Sequence, residues 1–178
     1  MKLPIRITIS LDHDIADIIG EMRQKLKVSQ SELIRRAIKF FYKYKDPLNK
    51  ITFDQLSTYL DMLPEGEHII LDVDHWLAFL RFVNNTEEFW ELHEDVAKAH
   101  AETLSKKFNN PINILKRLET CNFYKLSSES AENHTLILSS DYPKKFLIVF
   151  LQKVITAMGY NIEIKDDIAK LRVKIIKK

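Results

Sequence analysis

Ile5-Arg6-Ile7-Thr8-Ile9-Ser10-Leu11 alternates without a break. Side chains along a strand change face with a period of two. Ile5, Ile7, Ile9 and Leu11 therefore make one apolar face, and Arg6, Thr8 and Ser10 a short polar and basic one. A lone strand buries too little and leaves its backbone unpaired. The residues that follow read as two helices, so the nearest pairing partner is the same strand of a second copy. Two antiparallel copies make a ribbon with its apolar face on a core and its polar face outward. Such a ribbon fits the major groove of B-DNA, where Arg6, Thr8 and Ser10 are suited to touching base edges.

Working outward, Asp12 is placed to cap a helix over 13–26, with Asp14 and Asp17 near its positive end. Ile15, Ile18, Ile19, Met22 and Leu26 recur along one face of it. Ser29-Gln30-Ser31-Glu32 is a capping box, in which the Ser29 hydroxyl and the Glu32 carboxylate satisfy two orphan donors reciprocally. It predicts a second helix over 30–44, ending before Asp46-Pro47 because the residue before proline is pushed out of the helical region. Its apolar stripe of Leu33, Ile34, Ala37, Ile38, Phe41 and Tyr44 is too wide to be covered by the first helix alone. That width again asks for a second copy.

Two strings, Arg6-Ile7-Thr8-Ile9-Ser10-Leu11-Asp12 and Val28-Ser29-Gln30-Ser31-Glu32-Leu33-Ile34-Arg35-Arg36-Ala37, resemble the ribbon-helix-helix family of DNA-binding proteins. Arc and MetJ are members that read DNA with a β-ribbon. The resemblance implies an intertwined homodimer over residues 1–45. It implies Arg6, Thr8 and Ser10 as base contacts, and Ser29, Gln30 and Ser31 as a phosphate clamp at the start of the second helix. One departure stands out. Lys27 occupies the turn between the helices where members often carry glycine, which predicts a strained, left-handed residue or a different turn there.

Residues 46–51 read as a linker, and 52–178 as a separate α+β domain for effector sensing or oligomerisation. Helical spacing marks 53–63. A turn follows at Pro64-Glu65-Gly66-Glu67, then a short buried strand at 68–73. Asp74 is placed to cap a helix bearing Trp76, Leu77, Phe79, Leu80 and Val83. A longer helix runs from Thr86 to about Phe108 with Phe89, Leu92, Val96 and Leu104 inward, and Pro111 starts another. Two hairpins close the chain, one around Glu132-Asn133-His134 and one turning at Asp166-Asp167. Between them a helix from Asp141-Pro143 to Gly159 is apolar nearly all round, which predicts deep burial. The order from about Phe89 to Ile176 resembles the four-vinyl-reductase-like small-molecule sensor domains, without a shared motif and without the cysteines that some of them use.

The chain has 178 residues, 46% of them apolar, and a net charge of +2. The charge is uneven: residues 1–45 carry ten Lys or Arg against five Asp or Glu, and the remainder seventeen against twenty. A basic front on an acidic body points the front at a polyanion. One cysteine, Cys121, excludes an intramolecular disulfide framework and reads as a small buried hydrophobe. The absence of a signal-like or membrane-length apolar run predicts a soluble, cytoplasmic protein with no membrane contact. His93 and His100 lie two turns apart on one helix, but no metal-ligand spacing accompanies them, so no metal is expected. No phosphate loop, dinucleotide fingerprint or nucleophile elbow occurs, so neither a catalytic residue nor a cofactor is expected. Trp76, Phe79, Phe82, Phe89 and Trp90 either line a ligand pocket or fill a core.

These readings converge on a transcriptional regulator that is not an enzyme. It is expected to be a repressor, binding double-stranded DNA as a homodimer or higher homo-oligomer. Its C-terminal domain would sense a small-molecule effector or make a second oligomer interface. The alternative is an antitoxin-like interaction protein whose C-terminal part binds a partner protein.

Overall fold

The structure, a computed structural model, describes residues 5–64 and 68–178. It divides at Phe53/Asp54 into two compact units.

In the first unit, α1 (His13–Leu26) begins where the Asp12 carboxylate accepts the Ile15 N–H at 2.8 Å. It ends on Lys27, which sits in the left-handed region at φ 52° and ψ 44°. The helix thus stops at the position where glycine was missed in the sequence. α2 (Gln30–Leu48) runs further than expected, through Asp46 and Pro47. Proline disfavours a helical residue before it without forbidding one. Here the last turn is held by the Asn49 N–H donating to the Lys45 carbonyl at 3.0 Å.

The second unit contains α3 (Phe53–Met62), α4 (Val73–Val83), α5 (Glu87–Lys107), α6 (Pro111–Thr120), β1 (Lys125–Ser128), β2 (Asn133–Ile137), α7 (Pro143–Ala157), β3 (Tyr160–Asp167) and β4 (Lys170–Lys177). Its four strands form one antiparallel sheet in the order β1-β2-β4-β3. Two hairpins therefore flank α7, and the chain is mixed helix and strand, α+β. α7 packs on the sheet through one side and on α5 through another, which explains its apolar character all round. Leu147, Leu151, Val154 and Ile155 of α7 are fully buried with Leu136 and Leu171 of the sheet. Tyr124 closes the core beside α6, its hydroxyl donating to the Leu115 carbonyl at 2.9 Å. Burial pushes that hydroxyl's pKa well up. Gly159, at φ 85°, ends α7 in a conformation that favours glycine.

Five expectations for this unit are corrected. The first hairpin turns over residues 129–132 and not around Glu132-Asn133-His134, because Asn133 and His134 already belong to β2. Residues 68–72 form no strand, and Ile69 and Ile70 are 86% and 75% exposed. The apolar run has no neighbouring strand to complete a ladder. The cap of α4 is Asp72, whose carboxylate accepts the Asp74 N–H at 2.9 Å, while Asp74 lies inside the first turn. The inward face of α5 is Trp90, His93, Ala97 and Ala101, while Leu92 and Val96 are exposed. Alanines let α5 approach α7 closely, and closeness outweighs side-chain size. The last hairpin turns at Ile168-Ala169, not at Asp166-Asp167, which are the final residues of β3. The turn expected at Pro64-Glu65-Gly66-Glu67 lies in part outside the described residues.

Candidate nucleic-acid interface

Arg6, Thr8 and Ser10 precede α1, and all three are exposed. Residues 5–12 have no regular secondary structure, so the expected strand is not formed within the chain. The physical reason is that a strand exists by its ladder, and the chain offers this segment none. Every residue from 5 to 12 is exposed, on the apolar face and the polar face alike. Ile5 and Ile7 are 90% and 82% exposed, and Ile9 and Leu11 are also open.

Ser29, Gln30 and Ser31 are brought together at the start of α2, and all are exposed. The Ser29 hydroxyl accepts the Glu32 N–H at 3.2 Å. The Gln30 and Ser31 N–H groups, as the first of the helix, have no intrahelical acceptor. Open N–H groups at the positive end of a helix suit an anion such as a phosphate. The other half of the expected capping box is not made. The Glu32 carboxylate turns instead to Arg35, 2.9 Å away, and to Arg36, also 2.9 Å away. These guanidiniums, Arg35 foremost, hold its pKa below the usual value. Charged neighbours three and four residues on outcompete one backbone donor, and the spacing Glu32, Arg35, Arg36 was the signal for it. Arg35 and Arg36 thus stand beside the clamp residues, a pair that the sequence reading left out.

The apolar side of this unit is incompletely covered. Leu33 is its one buried side chain among the described residues, although Ile15, Ile18, Met22, Leu26, Ile38 and Phe41 share the helix faces. Ile38 and Phe41 are each 63% exposed. One buried leucine cannot hold two helices and a leading segment together, so this surface requires a cover.

In the second unit, none of the five histidines and no carboxylate joins a metal-ligating group among the described residues. His93 is buried, and His100 lies beside Phe150 with ring centroids 5.9 Å apart. Cys121 is half-buried, and burial raises its thiol pKa, as befits an inert thiol. No helix among the described residues is long and apolar enough to cross a membrane.

No curated protein and no solved structure matches the chain. Residues 5–45, which span the alternating segment, α1 and most of α2, match the family model of the ribbon-helix-helix protein, copG family. The N-terminal unit thus carries a ribbon-helix-helix module.

Proposed function

We propose that the chain is a sequence-specific DNA-binding transcriptional regulator, a repressor, and not an enzyme. It acts as a homodimer whose two 5–11 segments pair into an antiparallel ribbon. The observation that carries this reading is the coincidence of two facts over the same residues. Residues 5–45 match the ribbon-helix-helix model, and within them the apolar side chains of both the leading segment and the helices are left open. Pairing turns Ile5, Ile7, Ile9 and Leu11 onto the helices of both copies and turns Arg6, Thr8 and Ser10 outward. Arg6 reaches a guanine through O6 and N7, and Thr8 and Ser10 touch base edges or a thymine methyl. Ser29, Gln30 and Ser31 hold phosphate, which fixes register without reading sequence.

The second unit serves as an effector or oligomerisation domain. An antitoxin-like partner-binding role would suit a short extension that orders on binding. The closed core around Leu136, Leu151 and Leu171 favours a folded domain instead. The test is to select a preferred duplex from a random pool and then titrate it and a scrambled duplex at one salt concentration. Arg6→Ala should lower the ratio of the two affinities by roughly tenfold or more, since a bidentate contact is worth about 1–3 kcal/mol. Ser29→Ala should weaken both duplexes by a similar factor. An unchanged ratio for a folded Arg6→Ala dimer would defeat the ribbon as the reader.

A further inference from the structure

We propose that the second unit carries a ligand site between α3, residues 68–73, the start of α4 and the α6–β1 turn. Its occupant is a small neutral molecule with an apolar body and one oxygen acceptor, received by Trp76. The proposal deepens the reading of this unit as an effector domain and rests on it for its purpose, though not for its geometry.

The cavity measures about 400 Å³. That lies at the small end of ligand pockets, which run from about 300 to 1,000 Å³. Its walls include Tyr59, Met62, Ile69, Leu71, Trp76 and Phe123. None of the described residues lining it is Asp, Glu, Lys or Arg. Its polar lining is Tyr59, His68, Cys121 and Asn122; with no carboxylate, ammonium or guanidinium to pair it, a charged ligand would lose its water at a cost, so the occupant is neutral. The larger concavity beside Trp90 is lined instead by Glu87, Glu91, Glu94 and Asp95 with Lys98 and Lys145 among them, and is an open charged face.

The two tryptophans differ in a way that points to the acceptor. The Trp90 indole N–H donates to the Asn84 carbonyl at 2.9 Å. The Trp76 indole N–H is shut off from water and has no hydrogen-bond partner. A buried donor without an acceptor is costly. The ring is fixed edge-on against Phe146 at 4.8 Å and Phe123 at 5.9 Å, so the donor's position is set. Because water is excluded, an acceptor reaches the N–H only when carried by an apolar body that shifts a wall. Met62, unbranched and adaptable, is the wall suited to give. The exposed Ile69 and Ile70 lie at the same site and gain apolar contact when it is filled. α3 is held in place for this by Asp61, which bridges Lys107 at 2.7 Å and Arg117 at 3.2 Å.

The test uses the full chain and three molecules of one shape, by equilibrium dialysis: 2-acetylnaphthalene, 2-ethylnaphthalene and 2-naphthoate. The ketone should bind saturably and about tenfold more tightly than the ethyl compound, the factor expected of one added hydrogen bond. The anion should bind least. Trp76→Phe keeps a ring but loses the donor, and should bring the ketone down to the level of the ethyl compound. Leu71→Trp fills the cavity and should abolish both. Thermal melts establish that each variant is folded, and the ranking of the three molecules on the wild-type chain tests the site even if one variant is not. The proposal is overturned if the ketone does not bind saturably, if the anion binds best, or if Trp76→Phe keeps the ketone's preference. It is also overturned if Leu71→Trp alters self-association while the ketone fails to bind, since a second copy would then be the occupant. Ketone binding that leaves DNA affinity unchanged would keep the site and defeat the effector reading. Selective DNA binding without ketone binding would do the reverse.

Discussion

The His93 imidazole lies face to face with the Phe146 ring, with centroids 3.9 Å apart, and its Nε2 is 3.0 Å from the Phe146 carbonyl oxygen. With the proton on Nε2 this is a hydrogen bond from α5 to α7, and Trp90 and Phe89 complete the aromatic surround. Burial is the largest influence on this imidazole and pulls its pKa down, and only part of that is offset by the carbonyl. His134 is lowered for the same reason. A base whose folded pKa is depressed gives up stability as pH falls, because the unfolded chain binds the proton first. Stability of the second unit should therefore be full above the ordinary histidine value of about 6.5 and decline below it, levelling once the folded-state values are passed. His93→Phe keeps the ring contact and should flatten that decline, with the remainder carried by His134. Urea melts at stepped pH values decide it: an identical slope in wild type and variant would remove His93 from the account.

Lys144 makes a second tie. It is 9% exposed, and its ammonium lies 2.6 Å from Asp166 and 2.7 Å from each of Asp141 and the Asp167 carbonyl. These contacts raise its pKa, with Asp141 first. A raised base contributes stability that is full below the ordinary lysine value and is lost as pH climbs from there through the raised folded value. Lys144→Met should lower the melting temperature by several degrees, because it leaves the end of the β3–β4 hairpin without its tether to α7. Lys98→Ala, which breaks an exposed pair with Asp95, should change it little. Equal shifts for the two variants would show the Lys144 cluster to be an ordinary surface pair.

The starts of α1 and α2 are legible in the sequence because a cap is local: Asp12 and Ser29 act on a backbone donor three residues away. α7 is legible because Pro143 and Gly159 bracket an apolar run. What could not be read depends on partners far along the chain. The inward face of α5 is set by Ala97 and Ala101 meeting α7, and periodicity weighted by size picks Leu92 and Val96 instead. The run at 69–71 has a strand's composition, but no strand lies beside it to supply a ladder. The Arg35 and Arg36 contacts of Glu32 lay within reach of a local reading but compete with the capping box, and only relative strengths decide between them. For the candidate interface, the sequence marks Arg6, Thr8 and Ser10 by alternation alone, whereas the clamp residues are placed by a helix start. The sequence offered Trp76 for a pocket or a core but could not give the cavity, since its walls come from segments more than sixty residues apart.

Lys27 offers a test of the turn. A side chain in the left-handed region costs about 1–2 kcal/mol, and glycine gives back about 0.5–1 kcal/mol through the entropy of the unfolded chain. Lys27→Gly should therefore stabilise the N-terminal unit by a net of about 0.5–1 kcal/mol. Chemical denaturation followed by helix signal reads it directly. A loss of stability would mean that the lysine ammonium makes a contact in the assembled protein worth more than the strain.

The last prediction separates a monomer from the proposed homodimer through residues that look like surface. Ile9 is 53% exposed and Leu11 40% exposed in the single chain, and Ile168 is 89% exposed in the β3–β4 turn. Surface truncations away from special features change stability by less than about 0.5 kcal/mol. If the chain works alone, Ile9→Ala, Leu11→Ala and Ile168→Ala should all fall in that range. If two 5–11 segments pair over the helices of both copies, Ile9 and Leu11 become core. Their truncation should then cost about 2–5 kcal/mol each, as for buried aliphatic side chains, while Ile168→Ala stays neutral. The same assembly makes the unfolding midpoint of the N-terminal unit rise with protein concentration, because the folded state is a complex of two chains. Ile9→Ala should steepen the loss of that unit on dilution. Denaturation at two concentrations a hundredfold apart, for wild type and the three variants, reads both effects. A midpoint independent of concentration, with Ile9→Ala as mild as Ile168→Ala, would remove the ribbon and with it the surface on which Arg6, Thr8 and Ser10 are proposed to meet DNA.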